Sequence, residues 1–154
     1  MTTNQTESIF DPSKLENMEF NDSFGTVINP VPADEHVASI SKYELRKSSS
    51  GKVVLDLTWL VDSDIARKAT GMDKPSVRQS VFLTFNEKGG LDKDLNPQLG
   101  RLREAVGQNV AGQPWSFGML IGQVARIRVA HRIVREDSTG EEITYADVKG
   151  VSKL

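Results

Sequence analysis

The residues best suited to chemistry lie in the run QVARIRVAHRIV at positions 123–134. Read as a strand, its side chains alternate between two faces. Ala125, Ile127, Val129 and Ile133 then share one face, and Arg126, Arg128 and Arg132 share the other. A strand that is apolar inward and basic outward suits a phosphate backbone, because the planar guanidinium fork matches phosphate oxygens and stacks on bases. The plain structural alternative is a solvated strand face that is basic by chance. Other residues extend the pattern. Arg78 and Phe82 share the outward face of a predicted strand at 76–86, Tyr43 sits on one at 36–47, and Lys42, Arg46 and Lys47 add charge beside it. An aromatic ring gives any base a stacking surface worth about 1–3 kcal/mol. For Phe82, cover by the N-terminal segment or by residues 62–75 is expected over a bare stacking platform.

Catalytic chemistry has little to work with. His36 and His131 are the only side chains that titrate near neutrality without perturbation, and they fall on separate predicted strands. The sequence holds no nucleophile elbow, phosphate-binding loop or zinc-binding histidine pair. Asp92, Asp94 and Asn96 alternate like the start of a calcium loop, but the sixth and twelfth positions hold Pro97 and Arg103 where glycine and a bidentate glutamate belong. The expectation is a binding protein rather than an enzyme, with no metal and no cofactor.

These residues must be positioned by strands and one helix. Strands are predicted at 36–47, 52–61, 76–86, 123–134 and 141–151. In the second, Val53, Leu55, Leu57, Trp59 and Val61 face the core, and Lys52, Asp56 and Thr58 look out. In the third, Val77, Val81, Leu83 and Phe85 face the core. Asp62 or Ser63 can cap a helical turn that Gly71 ends. A helix is predicted at 97–106, with Asn96 as cap, Pro97 in the first turn and Gly107 beyond the end. Gly100 inside it costs on the order of 1 kcal/mol against alanine, which points to close packing there.

With 154 residues, 38% of them hydrophobic and 26% charged, the chain reads as one soluble domain with a polar segment attached. No apolar run is long enough for a membrane, no secretion signal is visible, and the lack of cysteine suits a reducing compartment. Residues 1–35 carry seven carboxylates against Lys14 alone, a formal −6, whereas residues 36–154 carry 18 basic and 14 acidic groups, a formal +4. Low aliphatic content and three prolines predict an acidic, mostly disordered arm over 1–35, ahead of a domain at 36–154.

The order strand, strand, strand, helix, strand, strand is that of the five-stranded Greek-key OB barrel, which commonly binds single-stranded nucleic acid. The expected fold class is therefore all-β with one main helix. Three stretches, FNEKGGLD at 85–92, QLGRLREAVGQN at 98–109 and GQPWSF at 112–117, resemble a family of small phage proteins often labelled single-stranded DNA-binding or left uncharacterised. The resemblance covers residues 36–151. It implies stoichiometric binding of single-stranded DNA with little sequence preference, in phage replication or recombination, in the host cytoplasm. It also implies partners among replication or recombination proteins and allows a homo-oligomer. The matching residues look structural, so they do not locate a DNA site. Well-known single-strand binders carry their acidic tail at the C-terminus, whereas here the acidic arm is N-terminal. The alternative function is a virion or assembly protein whose N-terminal arm docks on a neighbouring subunit.

Overall fold

The computed structural model describes residues 11–25 and 28–154. Their elements are α1 (Pro12–Glu16), β1 (Glu35–Lys47), β2 (Val53–Val61), α2 (Asp64–Thr70), β3 (Ser76–Leu83), α3 (Pro97–Ala105), a 3₁₀ turn (Phe117–Leu120), β4 (Val124–Arg135) and β5 (Glu142–Ser152). The strands close a barrel in the order β1-β2-β3-β5-β4, with α3 between β3 and β4. Strand order and helix position are those of an OB-like fold. Antiparallel ladders join β1 to β2 and β4, β2 to β3, and β4 to β5. Between β3 and β5 the pairing is parallel and consists of one register pair, Arg78 with Asp147. No helix among the described residues is long and apolar enough to cross a membrane.

Alternation builds the core as expected. Leu55, Leu57, Trp59 and Val61 of β2 are buried against Val77, Val81 and Leu83 of β3 and Ala125, Ile127 and Val129 of β4. Trp59 is fully enclosed, and its indole Nε1 donates to Gln79 Oε1 at 2.9 Å, so the barrel interior holds one satisfied polar pair. Leu99, Leu102 and Ala105 attach α3 to the same core. Ser63 caps α2, its hydroxyl accepting from the Ala66 amide, and Gly71 ends that helix in the left-handed region at φ 72°.

Several expectations are corrected. Asn96 stands before α3 but makes no cap bond; its side-chain amide pairs with Thr84 instead, accepting from that backbone N–H and donating to that carbonyl. The side chain thus continues the β3 edge where the backbone has turned away. That turn, held by Asn86 and bridged from Phe85 to Leu91, takes Phe85 off the core face and leaves it exposed. Gly100 is not a close-packing site, because a Cβ there would meet nothing within 4 Å. Ile133 is 64% exposed, because the paired ends of β4 and β5 run on past the core. Phe82 is 52% exposed, with the Lys52 ammonium 5.9 Å from its ring centroid, so the expected cover is not formed by residues 62–75.

The arm also differs from expectation at its root. Residues 1–10 and 26–27 lie outside the described residues, and α1 is exposed. Val31, by contrast, is buried within the core cluster. His36 on β1 donates from Nε2 to the Pro32 carbonyl at 2.8 Å, and His131 on β4 donates from Nε2 to the Val31 carbonyl at 2.7 Å. Both histidines are therefore structural fasteners, and residues 30–32 belong to the barrel.

Candidate nucleic-acid interface

Directly paired residues in a sheet point to the same side. Asp56 on β2 pairs with Glu44 on β1 and Ser80 on β3, so all three face outward. Arg46 lies two residues beyond Glu44, and Arg78 two residues before Ser80, on that same face. Across the β3–β5 junction the outward row continues through Asp147 and Tyr145, and Arg132 on β4 pairs with Tyr145. All of these but Glu44 line an open groove of about 990 Å³, to which Ile28, Asn29, Pro30 and Val31 of the arm root also contribute.

Its floor is an ion network. Asp56 is only 4% exposed, and it accepts from Arg46 Nε, from Ser80 Oγ at 2.7 Å and from Arg78 Nη2 at 3.4 Å. Burial pushes the Asp56 carboxyl upward, but bonds from Arg46 and Ser80 and the charges of both arginines outweigh it and hold the group below the usual carboxylate range. Arg132 donates from Nε to Asp147 at 2.8 Å, which raises its own pKa, and its guanidinium lies 4.9 Å from the Tyr145 ring centroid. A base entering here meets a half-exposed tyrosine, a guanidinium plane and fixed hydrogen-bonding groups.

The structure divides the residues proposed from sequence. Arg46, Arg78 and Arg132 come together in the groove. Lys42 pairs with Thr58 on the same outer face, and Phe82 pairs with Val54 there, next to the groove. Tyr43 pairs with the core residue Leu57, and its ring packs at 6.1 Å on Phe117; Lys47 lies on Tyr43's side of β1. Arg126 and Arg128 point outward from β4, but they sit over its junctions with β1 and β5, away from the groove.

Sequence reasoning missed Tyr145, Asp147, Ser80 and the arm root, and it gave Asp56 no role beyond facing out. Period-two alternation in 142–152 could have put Tyr145 and Asp147 on one face, but nothing local tells which strand lies beside it. The stretches carrying the family resemblance are structural here. Trp115 donates to Gln108 Oε1 at 2.8 Å, the Arg103 guanidinium lies 4.5 Å from the Trp115 ring centroid, and Trp115 and Phe117 meet edge to face at 5.1 Å. In comparison with known proteins, no family model and no curated protein matches the chain.

Proposed function

We propose that this OB-like barrel binds single-stranded DNA stoichiometrically in the groove over β2, β3 and β5, as a phage replication or recombination protein without a catalytic step. The observation that carries this is the placement of Arg46, Arg78, Arg132 and Tyr145 along one groove. It crosses the β2–β3 face and reaches the start of β5, the region that OB folds use for oligonucleotides. Stacking on Tyr145 and Phe82 favours unpaired bases, because in a duplex the base faces are already covered. Titrating labelled oligonucleotides of equal length at low salt tests the reading: single strands bind more tightly than duplex, with little dependence on sequence. Equal or absent binding of both removes it.

A second reading is a virion or assembly protein that docks through its arm. It is favoured by Leu15, Met18, Phe20 and Phe24, all more than half exposed on an acidic segment. Light scattering of full-length and arm-truncated protein separates the two, since only docking on a second copy makes the assembly state depend on the arm.

A further inference from the structure

The groove is a poor attractor for a polyanion. Its charged lining is Arg46, Arg78 and Arg132 against Asp56, Asp147, Glu141 and Glu142, a formal −1. Each of those arginines is already held by a carboxylate. Affinity for a phosphate backbone comes from cations that neutralise phosphates and release counterions. An arginine already neutralised by Asp147 contributes less of this than an unpaired one.

Unpaired arginines exist one step along β4. Outward side chains on a strand recur about every 6.6 Å, so Arg132, Ala130, Arg128 and Arg126 form a row of about 20 Å that leads away from the groove. Among the described residues Arg126 and Arg128 have no carboxylate within salt-bridge distance, although Glu35 lies across from Arg128 on β1. Arg128 lies flat across Gly150, where a Cβ would come 3.6 Å from its Nε and Nη2, and its Nη2 reaches the Lys149 carbonyl at 3.5 Å. Lys149 is the extra residue of a β-bulge opposite Arg128 and Val129 and is itself exposed. With Arg126, Arg128 and Lys149 against Glu35, this strip is formally +2.

We infer that the phosphate backbone of a bound single strand follows the outer face of β4, with Arg126 and Arg128 as its phosphate contacts, while the groove receives bases. The inference rests on the proposed function. It divides the labour between residues that the sequence groups together: Arg132 positions bases, and Arg126 and Arg128 supply the salt-dependent part of the affinity.

The test uses the full chain and a labelled thymidine 20-mer, with Kd measured from 50 to 200 mM salt. Two lost contacts on a single strand lower the slope of log K against log salt by about 1.4. Wild-type affinity should therefore fall about sevenfold further over that range than that of R126A/R128A. The R126K/R128K variant should keep the wild-type slope, and R132A should weaken binding with the slope little changed. The inference is overturned if R126A/R128A retains the wild-type slope, or if R132A lowers it as much as one of the other arginines should. R126Q/R128Q serves if the alanine pair unfolds. A wild-type protein that binds no 20-mer at all overturns the functional reading and this inference with it.

Discussion

Replacing Asp56 by alanine tests the ion network under the groove. The carboxylate is almost wholly enclosed, but its partners are not: the side chains of Arg46 and Arg78 are 44% and 71% exposed. A hydrogen bond to a charged group contributes about 1.5–3 kcal/mol, and breaking a fully buried pair costs about 3–5. Here both arginines rehydrate once freed, so their pairs count at the surface value of about 0–1 kcal/mol each. The Ser80 bond adds to this, and release of the desolvated carboxylate offsets part of it. The expected loss is about 1–2 kcal/mol, or a Tm lower by about 3–6 °C in a domain of this size. Asp56→Asn should lose somewhat less, since its amide oxygen can still accept from the arginines and its N–H can donate to the Ser80 hydroxyl, but the charge that both arginines pair with is gone. The pH dependence has a definite sign. A carboxyl whose pKa is depressed by folding stabilises the protein at pH values above its unfolded value of about 3.9, and the contribution disappears as pH falls through the lower folded value. Urea unfolding of wild type and D56A at pH 7 and at pH 2.5 should therefore show a gap that closes on acidification. Equal stability at pH 7, or a gap unchanged at pH 2.5, would refute the account.

Two further outcomes follow from packing. Gly100→Ala should raise stability by up to about 1 kcal/mol, seen as a higher Tm, because the helix gains a better former and the new methyl meets open space. Val31→Ala should cost about 1.5–2.5 kcal/mol in urea unfolding, from two buried carbons and the cavity they leave. Correspondingly, a chain beginning at Ile28 should keep wild-type stability, whereas one beginning at Glu35 should unfold at lower urea.

The barrel was legible because its signals are local. Alternation in β2, the Pro97 start of α3 and the helix placed between the third and fourth strands each follow from a few neighbouring residues. What stayed hidden depends on partners far away in sequence. Alternation puts Asp56 outward, but that Arg46, Ser80 and Arg78 converge on it follows from the registers of β1 and β3 against β2. Composition makes 1–35 look like uniform arm, yet one buried valine, the adjacent His36 and the distant His131 bind its last residues to the barrel. Asn96 carries a cap signature that failed because Thr84 offered its side chain two hydrogen bonds instead of one. Ile133 has the right alternation, but alternation says which side a residue faces and not whether anything lies opposite.

The junction of β3 and β5 carries a mechanical consequence. Four sides of the barrel are laced by long antiparallel ladders, and the fifth is fastened at the single pair Arg78–Asp147. Opening there breaks fewer hydrogen bonds than opening anywhere else around the hoop, so amide exchange near residues 76–80 and 145–148 should proceed through local parting rather than global unfolding. The same seam runs along the floor of the groove. A strand lying across it would bridge Arg78 on one lip and Tyr145 and Arg132 on the other, acting as a clasp. Bound ligand would then slow exchange at the seam far more than in the β1–β2 ladder, and the barrel would be most tightly shut when loaded.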